Sequence, residues 1–357
     1  MKRKGYLYPK LCDIDLIETA IYKASNGKRK RRDVRRILNN SHKYALDIQE
    51  KLLNKTFEPS DFRTMVHYDG IRRKERIIYK PPYFPDQIVH WCIYLVLRDW
   101  LYAGFYKYAC GSIPGRGVHY GKAAVEKWLK SDRKNTKYYL KMDVRKFYPS
   151  VKAEPLMRKL RTKIKDEDLL NIIHNILIKN DGLPIGMLLS QVFANFFLTD
   201  FDYYVKQDLG AKYYIRYMDD MVIFGSNKKK LHKMRREISE RLAVDGLSLK
   251  DNWQVCKLSK EPLDFMGFRF YQDHTTLRKS VMLRITRKVR KVGHKDVPTR
   301  HDAQAVISYL GWVKHSDSYK LFITWIRPYL HIQQLKDIIR RSSRNENLQF
   351  RICNQAG

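Results

Sequence analysis

The sequence predicts an α+β fold in which helices back an antiparallel sheet. Two runs rich in β-forming residues, Tyr213–Tyr217 and Met221–Phe224, stand on either side of a short acidic turn and indicate a β-hairpin. A further strand is predicted over residues 137–143, and residues 154–180 carry apolar side chains at helical spacing. The next helix, with Phe193 and Phe197 on its apolar face, is expected to pack under the sheet.

Helices are also predicted at both ends of the chain. The first 60 residues are expected to be helical and include the basic stretch Lys28–Arg32. Such a stretch is most often a solvated face or an address signal, but we favour contact with RNA, because neutralisation of phosphates dominates affinity for nucleic acid. Near the other end, helices are predicted over Asp302–Val313 and Ser318–Ile339, in a region that is again basic.

The composition agrees with a nucleic-acid-binding protein without identifying one. There are 71 Lys and Arg against 37 Asp and Glu, and the formal net charge of +34 attracts phosphate. A ribosomal or membrane-surface protein could have the same balance, although 44% hydrophobic residues and 24 tyrosines provide for a substantial core. A length of 357 residues predicts two or three domains, or one large multi-lobed unit.

Several classes of protein are not expected. The longest apolar run, Trp91–Leu97, is too short to span a bilayer, and no apolar signal core follows the basic start Met1–Lys4. Five widely spread cysteines predict free thiols in a reducing cytoplasm, so we expect a cytoplasmic protein without a disulfide framework or zinc site. The glycine-rich segment Gly111–Gly117 lacks the Gly-Lys-Ser/Thr ending of a P-loop.

Three acidic residues are the candidates for a metal-binding site. Asp219 and Asp220 lie at the tip of the predicted hairpin, and Asp143 ends the predicted strand upstream. Asp is common in turns and as a cap, so each residue alone has an ordinary interpretation. Together they would supply the carboxylates of a two-metal site for phosphoryl transfer, with the hard oxygen ligands that Mg²⁺ requires.

From about residue 63 to residue 320, the chain resembles a reverse transcriptase, with the motifs in the family's order. Asp143 matches the first catalytic aspartate of the palm, and Tyr217-Met218-Asp219-Asp220 matches the paired-aspartate motif. Tyr148 falls at the aromatic gate that excludes a ribose 2′-hydroxyl. Gly182–Gln191 resembles the loop and helix start that hold template and nucleotide, and Leu263–Phe268 resembles the primer grip.

The loop and helix start over Gly182–Gln191, here called the palm loop, differs at two positions from the pattern of group II intron enzymes. Group II and related enzymes usually carry Gln before the Gly and Pro after the Ser of the palm loop, where this chain has Ile185-Gly186 and Ser190-Gln191. That form, and the segment Ser308–His315, resemble the reverse transcriptases of diversity-generating retroelements, within the group II intron-like bacterial family. Neutral drift in another bacterial reverse transcriptase would also explain Ile185 and Gln191.

The resemblance implies an α+β right-hand polymerase. The implied segments are an N-terminal helical basic extension (1–61), fingers (62–135), the first part of the palm (136–152), a helical insertion (153–180), the palm with the catalytic hairpin and primer grip (181–271), and a helical thumb (272–357). No endonuclease or RNase H segment is recognised after the thumb, which disfavours a retroviral enzyme or a complete mobile intron protein.

The resemblance also implies roles for individual residues. Asp143, Asp219 and Asp220 would be catalytic and, with the Val144 carbonyl, would hold two Mg²⁺ ions, Asp219 being the firmer ligand of the pair. The residues expected at the nucleotide are Lys74, Arg76, Tyr148 and Lys250. Those expected to affect template and fidelity are Ile185, Gly186, Ser190 and Gln191, and the primer grip is expected at Phe265, Met266 and Gly267.

The implied function is error-prone synthesis of cDNA, with errors at adenines, from a template-repeat RNA. The implied partners are template RNA, the RNA–DNA hybrid, dNTPs and a small basic helical accessory protein that forms a pentameric barrel; no membrane is involved. Two alternatives remain open. One is a retron, antiviral or free-standing group II-like reverse transcriptase of ordinary fidelity, and the other is an RNA-binding scaffold with a vestigial polymerase site.

Overall fold

The computed structural model describes residues 3–69 and 74–341, which form two compact units. The first unit contains the described residues up to Gly121 together with Tyr138–Val255, and the second contains Lys122–Lys137 together with the described residues from Cys256 onwards. Within the described ranges, no helix has both the length and the apolar character needed to cross a membrane.

The sequence predicted thiols, and the four described cysteines are not joined in disulfides. Cys12, Cys92 and Cys110 are buried, and Cys256 is partly buried. The fifth cysteine, Cys353, lies outside the described residues.

The first unit begins with helices, as predicted. These are α1 (Tyr8–Leu11), α2 (Ile14–Ala24), α3 (Arg32–Asn39) and α4 (Ser41–Leu53), and α2 packs on α4 and on the later helix α5 (Ile88–Gly104). Helix α2 starts where the Asp13 side chain accepts a hydrogen bond from the Leu16 N–H at 2.9 Å. Its buried face consists of Ile17, Ala20, Ile21 and Ala24.

A two-stranded antiparallel sheet stands between α4 and α5. It consists of β1 (Arg63–Asp69) and β2 (Lys74–Lys80), which lie in the predicted fingers segment and pair from Arg63 with Lys80 to Asp69 with Lys74. Residues 70–73 lie outside the described residues. Lys74 begins β2, and its side chain also lies outside what the structure describes.

The central sheet has five strands in the order β3-β5-β6-β4-β7. The strands are β3 (Ala109–Cys110), β4 (Tyr138–Asp143), β5 (Tyr213–Tyr217), β6 (Asp220–Gly225) and β7 (Gln254–Lys257). The pairs β5–β6 and β6–β4 are antiparallel, as predicted, and form the hairpin and its neighbour. The pair β3–β5 is parallel, so the two-residue strand β3 adds a parallel edge to the predicted antiparallel sheet. A long, mostly helical connection between these two strands makes parallel pairing possible.

The first unit contains further helices, the last of which packs on β4 and β6. They are α7 (Phe147–Ser150), α8 (Ala153–Arg161), α9 (Glu167–Leu177), α10 (Leu188–Phe197), α11 (Thr199–Tyr203) and α12 (Lys228–Val244). Phe193 and Phe197 are fully buried, so their predicted packing role is confirmed. The helix predicted over residues 154–180 is in fact broken, because the Lys4 N–H donates to the Lys163 carbonyl and the Lys4 carbonyl accepts from the Lys165 N–H, both at 2.8 Å.

The second unit contains a small sheet and helices. Its elements are most of α6 (Val118–Ser131), then β8 (Leu263–Phe265), β9 (Phe268–Phe270), β10 (Thr275–Leu277), α13 (Lys279–Gly293), α14 (Arg300–Lys314) and α15 (Tyr319–Leu321). Helix α14 confirms the prediction for Asp302–Val313. The helix predicted over Ser318–Ile339 is interrupted near Pro328, whose ring cannot continue an α-helix, and helical structure resumes at residue 332.

Candidate active site

The three acidic residues predicted to act together lie at one end of the central sheet. Asp143 is the last residue of β4 and pairs directly with Asp220, the first residue of β6. Residues directly opposite each other in antiparallel strands share a face and have Cβ atoms ~4.5–5.5 Å apart. The Asp219 carbonyl, in the turn before β6, accepts a hydrogen bond from the Val144 N–H at 3.2 Å. The strand register therefore brings the three carboxylates to one place.

The turn itself is held in a strained conformation. Met218 has φ of +56°, in the left-handed region, which costs a non-glycine residue ~1–2 kcal/mol. Its N–H donates to the Cys110 carbonyl at 3.1 Å. Gly111 allows the Met218 side chain to come close, because a Cβ on Gly111 would lie 2.9 Å from Met218 Cγ.

Crowding of the carboxylates changes their titration. Burial, followed by the charge of Asp143, raises the pKa of Asp219 above its ordinary value. The same two causes, in the same order, raise the pKa of Asp220 from 3.8 to about 7. Negative charge is therefore costly at this end of the sheet, and a cation bound there would offset that cost.

Lys250 supplies one positive charge at this place. Its Nζ forms an ion pair with Asp143 Oδ1, and its backbone N–H donates to the Asp143 carbonyl at 2.8 Å. A second backbone bond, from the Arg145 N–H to the Ser248 carbonyl at 2.8 Å, aligns the two segments. Lys250 is thus fixed beside the carboxylates by its backbone as well as by its charge.

The donor set fits a divalent cation that prefers oxygen. Carboxylates and the Val144 carbonyl are hard oxygen ligands, and Mg²⁺ usually takes one or two protein carboxylates and completes its shell with water and substrate phosphate. In the described part of the chain, no group of three or more His, Cys, Asp or Glu side chains is arranged to hold a metal ion by itself. A bound Mg²⁺ ion would need water and substrate oxygens to complete its coordination.

A cavity of about 1120 Å³ opens over the carboxylates. Seven predicted site residues line it: Arg76, Asp143, Tyr148, Ile185, Asp219, Asp220 and Lys250. The structure thus brings together the three aspartates and most of the residues predicted at the nucleotide.

Tyr148 belongs to the short helix α7 in the wall of this cavity. Burial, followed by the charge of Asp219, raises the pKa of Tyr148 to about 12, so its hydroxyl is neutral near pH 7. Its backbone carbonyl accepts a hydrogen bond from the Leu183 N–H at 2.9 Å. This bond joins the backbone of α7 to Leu183, so the segment that carries Tyr148 is fixed in the cavity wall.

The palm loop approaches β2 closely. The Ile185 carbonyl accepts a hydrogen bond from the Tyr79 N–H at 2.8 Å. Gly186 has φ of +106°, and a Cβ there would lie 2.7 Å from Ile78 Cγ2, so both the conformation and the space require glycine.

Ser190 and Gln191 lie in the first turn of α10 and do not line the cavity over the aspartates. Ser190 is buried, and its hydroxyl has no hydrogen-bond partner within the described ranges. The Gln191 side chain is exposed, and its backbone carbonyl accepts from Asn195 Nδ2 at 3.2 Å.

A second cavity, of about 780 Å³, lies on the other side of the contact between β2 and the palm loop. Its described lining contains one acidic residue, Asp33, and five basic residues: Lys28, Arg31, Arg36, Arg63 and Lys80. Gly186 also lines it. From the sequence, only the stretch that contains Lys28 and Arg31 was predicted to contact RNA. The other three basic residues belong to α3, β1 and β2, and sequence spacing does not show that these elements meet.

The predicted primer-grip residues belong to the second unit. Phe265 ends β8, and Met266 and Gly267 form the turn to β9, with φ of +51° and +85°. A Cβ on Gly267 would lie 2.8 Å from the ring of Trp312, and the Trp312 ring stacks on Phe268 with centroids 5.2 Å apart. This turn is therefore shaped by close packing on α14.

Comparison with known proteins identifies a family. Residues 86–270, just over half of the chain, match the model of the family described as reverse transcriptase (RNA-dependent DNA polymerase). The retron Ec73 reverse transcriptase of Escherichia coli is 28% identical in an alignment 208 positions long, which covers 53% of this chain and 65% of that protein. The chain thus spans about 65% of the length of this curated relative.

A solved structure shows the same fold. Apo telomerase from Candida tropicalis superposes with a TM-score of 0.50 at 12% identity, over 82% of this chain and 59% of the telomerase chain. At this identity the likeness concerns the fold alone. It supports the α+β right-hand polymerase class that the motifs predicted.

The raised pKa of Asp220 predicts how stability depends on pH. Without divalent cations, a carboxyl whose pKa rises from 3.8 to about 7 on folding favours the folded state at low pH, and this contribution is lost as pH rises from about 4 to about 7. Asp220→Asn removes the titrating group. We therefore expect the free energy of unfolding of Asp220→Asn, relative to wild type, to increase between pH 4.5 and pH 8 (roughly the ends of that window), as measured by urea unfolding.

The exposed Asp200, at the start of α11, provides the matched control Asp200→Asn. Mg²⁺ should stabilise the wild type more than Asp220→Asn. An Asp220→Asn effect of equal size at both pH values would contradict the crowding of the carboxylates.

Proposed function

Because the chain belongs to the reverse transcriptase (RNA-dependent DNA polymerase) family, we propose that it synthesises DNA on an RNA template. The observation that carries the proposal is the convergence of Asp143, Asp219 and Asp220 on a cavity of about 1120 Å³, which is large enough for a nucleotide. The reaction is addition of a deoxynucleotide to a 3′-hydroxyl, with release of pyrophosphate.

The aspartates would hold the metal ions of this reaction. Asp143, Asp219, Asp220 and the Val144 carbonyl are the proposed ligands of two Mg²⁺ ions. When bound, such ions activate the attacking oxygen and stabilise charge on the triphosphate and the leaving group. The crowding that raises the pKa of Asp219 and Asp220 supports a role in binding cations.

The cations and the aromatic ring in the cavity would bind and select the nucleotide. Lys250 and Arg76 are proposed to neutralise the triphosphate, an electrostatic role that fixed charges perform without reorganisation. Lys74 is proposed for the same role from the family resemblance alone. Tyr148 is proposed to exclude the ribose 2′-hydroxyl sterically.

The second cavity is the proposed place of unpaired template RNA. Its excess of basic residues suits a chain of phosphates, and burial and the nearby Arg31 lower the pKa of Lys28, as expected where like charges are crowded. The first cavity is lined by Tyr79 and Ile185, and the second by their chain neighbours Ile78, Lys80 and Gly186. This closeness along the chain supports a template that reaches both.

More specifically, we propose that the enzyme belongs to a diversity-generating retroelement and makes error-prone cDNA from a template-repeat RNA. Its proposed partner is a pentameric accessory protein. This rests on the palm-loop residues Ile185-Gly186 and Ser190-Gln191. The similarity to a retron reverse transcriptase favours the second candidate, synthesis of ordinary fidelity by a retron-like enzyme. An RNA-binding scaffold is less favoured, because a scaffold does not need three costly, converging carboxylates.

Asp219→Asn should reduce DNA synthesis on a primed RNA at least ~10²-fold, because it removes a metal-binding charge at the site of phosphoryl transfer. Affinity for the primed RNA should stay within about twofold, since phosphate contacts dominate it. Primer extension and filter binding give the two readings, with Asp200→Asn as the charge-matched control. Substantial synthesis by Asp219→Asn would rule out the metal role, and a wild type that binds RNA without extending the primer would favour the scaffold.

Tyr148→Ala should raise incorporation of ribonucleotides relative to deoxynucleotides roughly 10- to 100-fold, the range in which a close steric contact discriminates. Single-nucleotide incorporation kinetics with dNTP and NTP measure the ratio. Tyr148→Phe keeps the ring and serves as the matched control, so its selectivity should equal that of the wild type. If Tyr148→Ala keeps the sugar selectivity of the wild type, Tyr148 is not the residue that excludes the ribose 2′-hydroxyl.

Sequencing of the cDNA separates the two enzyme candidates. A diversity-generating enzyme should place errors opposite template adenines, and Ile185→Gln should change that spectrum if the palm loop holds the template base. Loss of one good base contact changes discrimination by ~1–3 kcal/mol, enough for a visible change in error rate. A faithful wild-type product would still support RNA-templated DNA synthesis and would favour the retron-like candidate.

A further inference from the structure

A fully buried ion pair lies close to the turn that carries Asp219. Arg216 donates from Nε to Asp202 Oδ1 at 2.7 Å and from Nη2 to Asp202 Oδ2 at 2.5 Å. The two side chains are 1% and 0% exposed, and the Tyr214 hydroxyl donates to the same carboxylate at 2.7 Å. Apolar residues of similar volume often stabilise a fold as well as a buried ion pair does. Stability alone is therefore a weak reason for charges at this position.

The other edge of the guanidinium reaches the turn. Arg216 Nη1 donates to the Met218 carbonyl at 2.9 Å and to Asn195 Oδ1 at 3.1 Å. A guanidinium presents its donors in a rigid planar fork, so fixing one edge also fixes the other. Asp202 thus orients Arg216, and Arg216 in turn orients the Met218 carbonyl.

That carbonyl belongs to the peptide that joins Met218 to Asp219. Met218 is in the left-handed region, which non-glycine residues rarely adopt, and its N–H is held by the Cys110 carbonyl. With Arg216 on the carbonyl, both polar backbone groups of Met218 are fixed. The Asp219 carbonyl is fixed by the Val144 N–H. The direction in which the Asp219 side chain leaves the turn is therefore determined by hydrogen bonds on either side of it.

We propose that Arg216, oriented by Asp202, is a positioning residue that holds the Met218–Asp219 peptide and so directs the Asp219 carboxylate to its place in the cavity. This inference rests on the proposed function, in which Asp219 binds a divalent cation. Arg216 is buried beneath the turn and acts through the turn rather than on the nucleotide. Its loss should therefore affect turnover and the demand for Mg²⁺ more than the KM for dNTP.

The test must separate positioning from stability of the fold. A triple variant, Arg216→Met with Asp202→Leu and Tyr214→Phe, removes both charges and the hydroxyl that bonds Asp202, so no buried charge is left unpaired. Tyr214→Phe alone is the matched control, since it removes a hydrogen bond from the same carboxylate without touching the turn. Urea unfolding, primer extension and Mg²⁺ titration are measured on both.

We expect the triple variant to fold with a free energy of unfolding close to that of Tyr214→Phe. Its kcat should be lower by ~10- to 100-fold, or its half-saturating Mg²⁺ concentration higher by a similar factor, as when groups that orient metal ligands are removed. Mg²⁺ should also raise the melting temperature of the triple variant less than that of the control, a reading that does not depend on synthesis. A stable triple variant with the kcat, Mg²⁺ demand and Mg²⁺ stabilisation of the control would overturn the inference.

Arg216→Lys provides a second route if the triple variant does not fold. Lysine keeps the charge beside Asp202 but lacks the planar fork that reaches Met218, so the same loss of kcat or of Mg²⁺ affinity is expected. An Arg216→Lys protein with wild-type kinetics, or unfolding of both variants, would assign the ion pair to the fold and overturn the proposal. A failure of the proposed function would give a different result. In that case, neither the wild type nor Tyr214→Phe would extend a primed RNA.

Discussion

The register between β4 and β6 is the constraint on which the candidate site depends. It places Asp143 directly opposite Asp220, and the turn before β6 adds Asp219. Met142 and Met221 are buried directly opposite each other, and a slip of one residue would turn the side chains of one strand to the other face of the sheet, so the carboxylates cannot separate without repacking of the core. Hydrophobic packing therefore maintains an arrangement that electrostatics opposes, and the raised pKa values of Asp219 and Asp220 measure that opposition.

Two positively charged residues lie close to these carboxylates, one in the cavity and one buried beneath the turn. Lys250 lines the cavity, where its side chain is partly exposed and pairs with Asp143. Arg216 lies below, fully buried, and its partners are Asp202 and the Met218 carbonyl. Breaking a buried ion pair is strongly destabilising, because it leaves one charge buried without a partner, whereas a partly exposed charge remains in contact with water. The two cations therefore differ in how firmly the fold holds them.

The sequence predicted those features that are local and repetitive. The hairpin, the Phe-rich face of α10 and the first helices follow from periodicity and β-propensity, and the three aspartates were recognised by motif order. The ion pair of Arg216 with Asp202 was missed, because neither burial nor a side-chain bond across 14 positions is visible in spacing. The break near Ile164 was missed for a similar reason, since Lys4, far away in the sequence, pairs there.

The palm loop shows why the family is easier to assign than the subgroup. At position 185 the backbone carbonyl bonds Tyr79, so the contact with β2 would survive a change of side chain, whereas Gly186 cannot be replaced without collision with Ile78. The fold thus requires the glycine but leaves residue 185 free to vary in a wall of the cavity. The glycine is therefore a requirement of the fold, whereas an effect of residue 185 on fidelity has to be measured on the product.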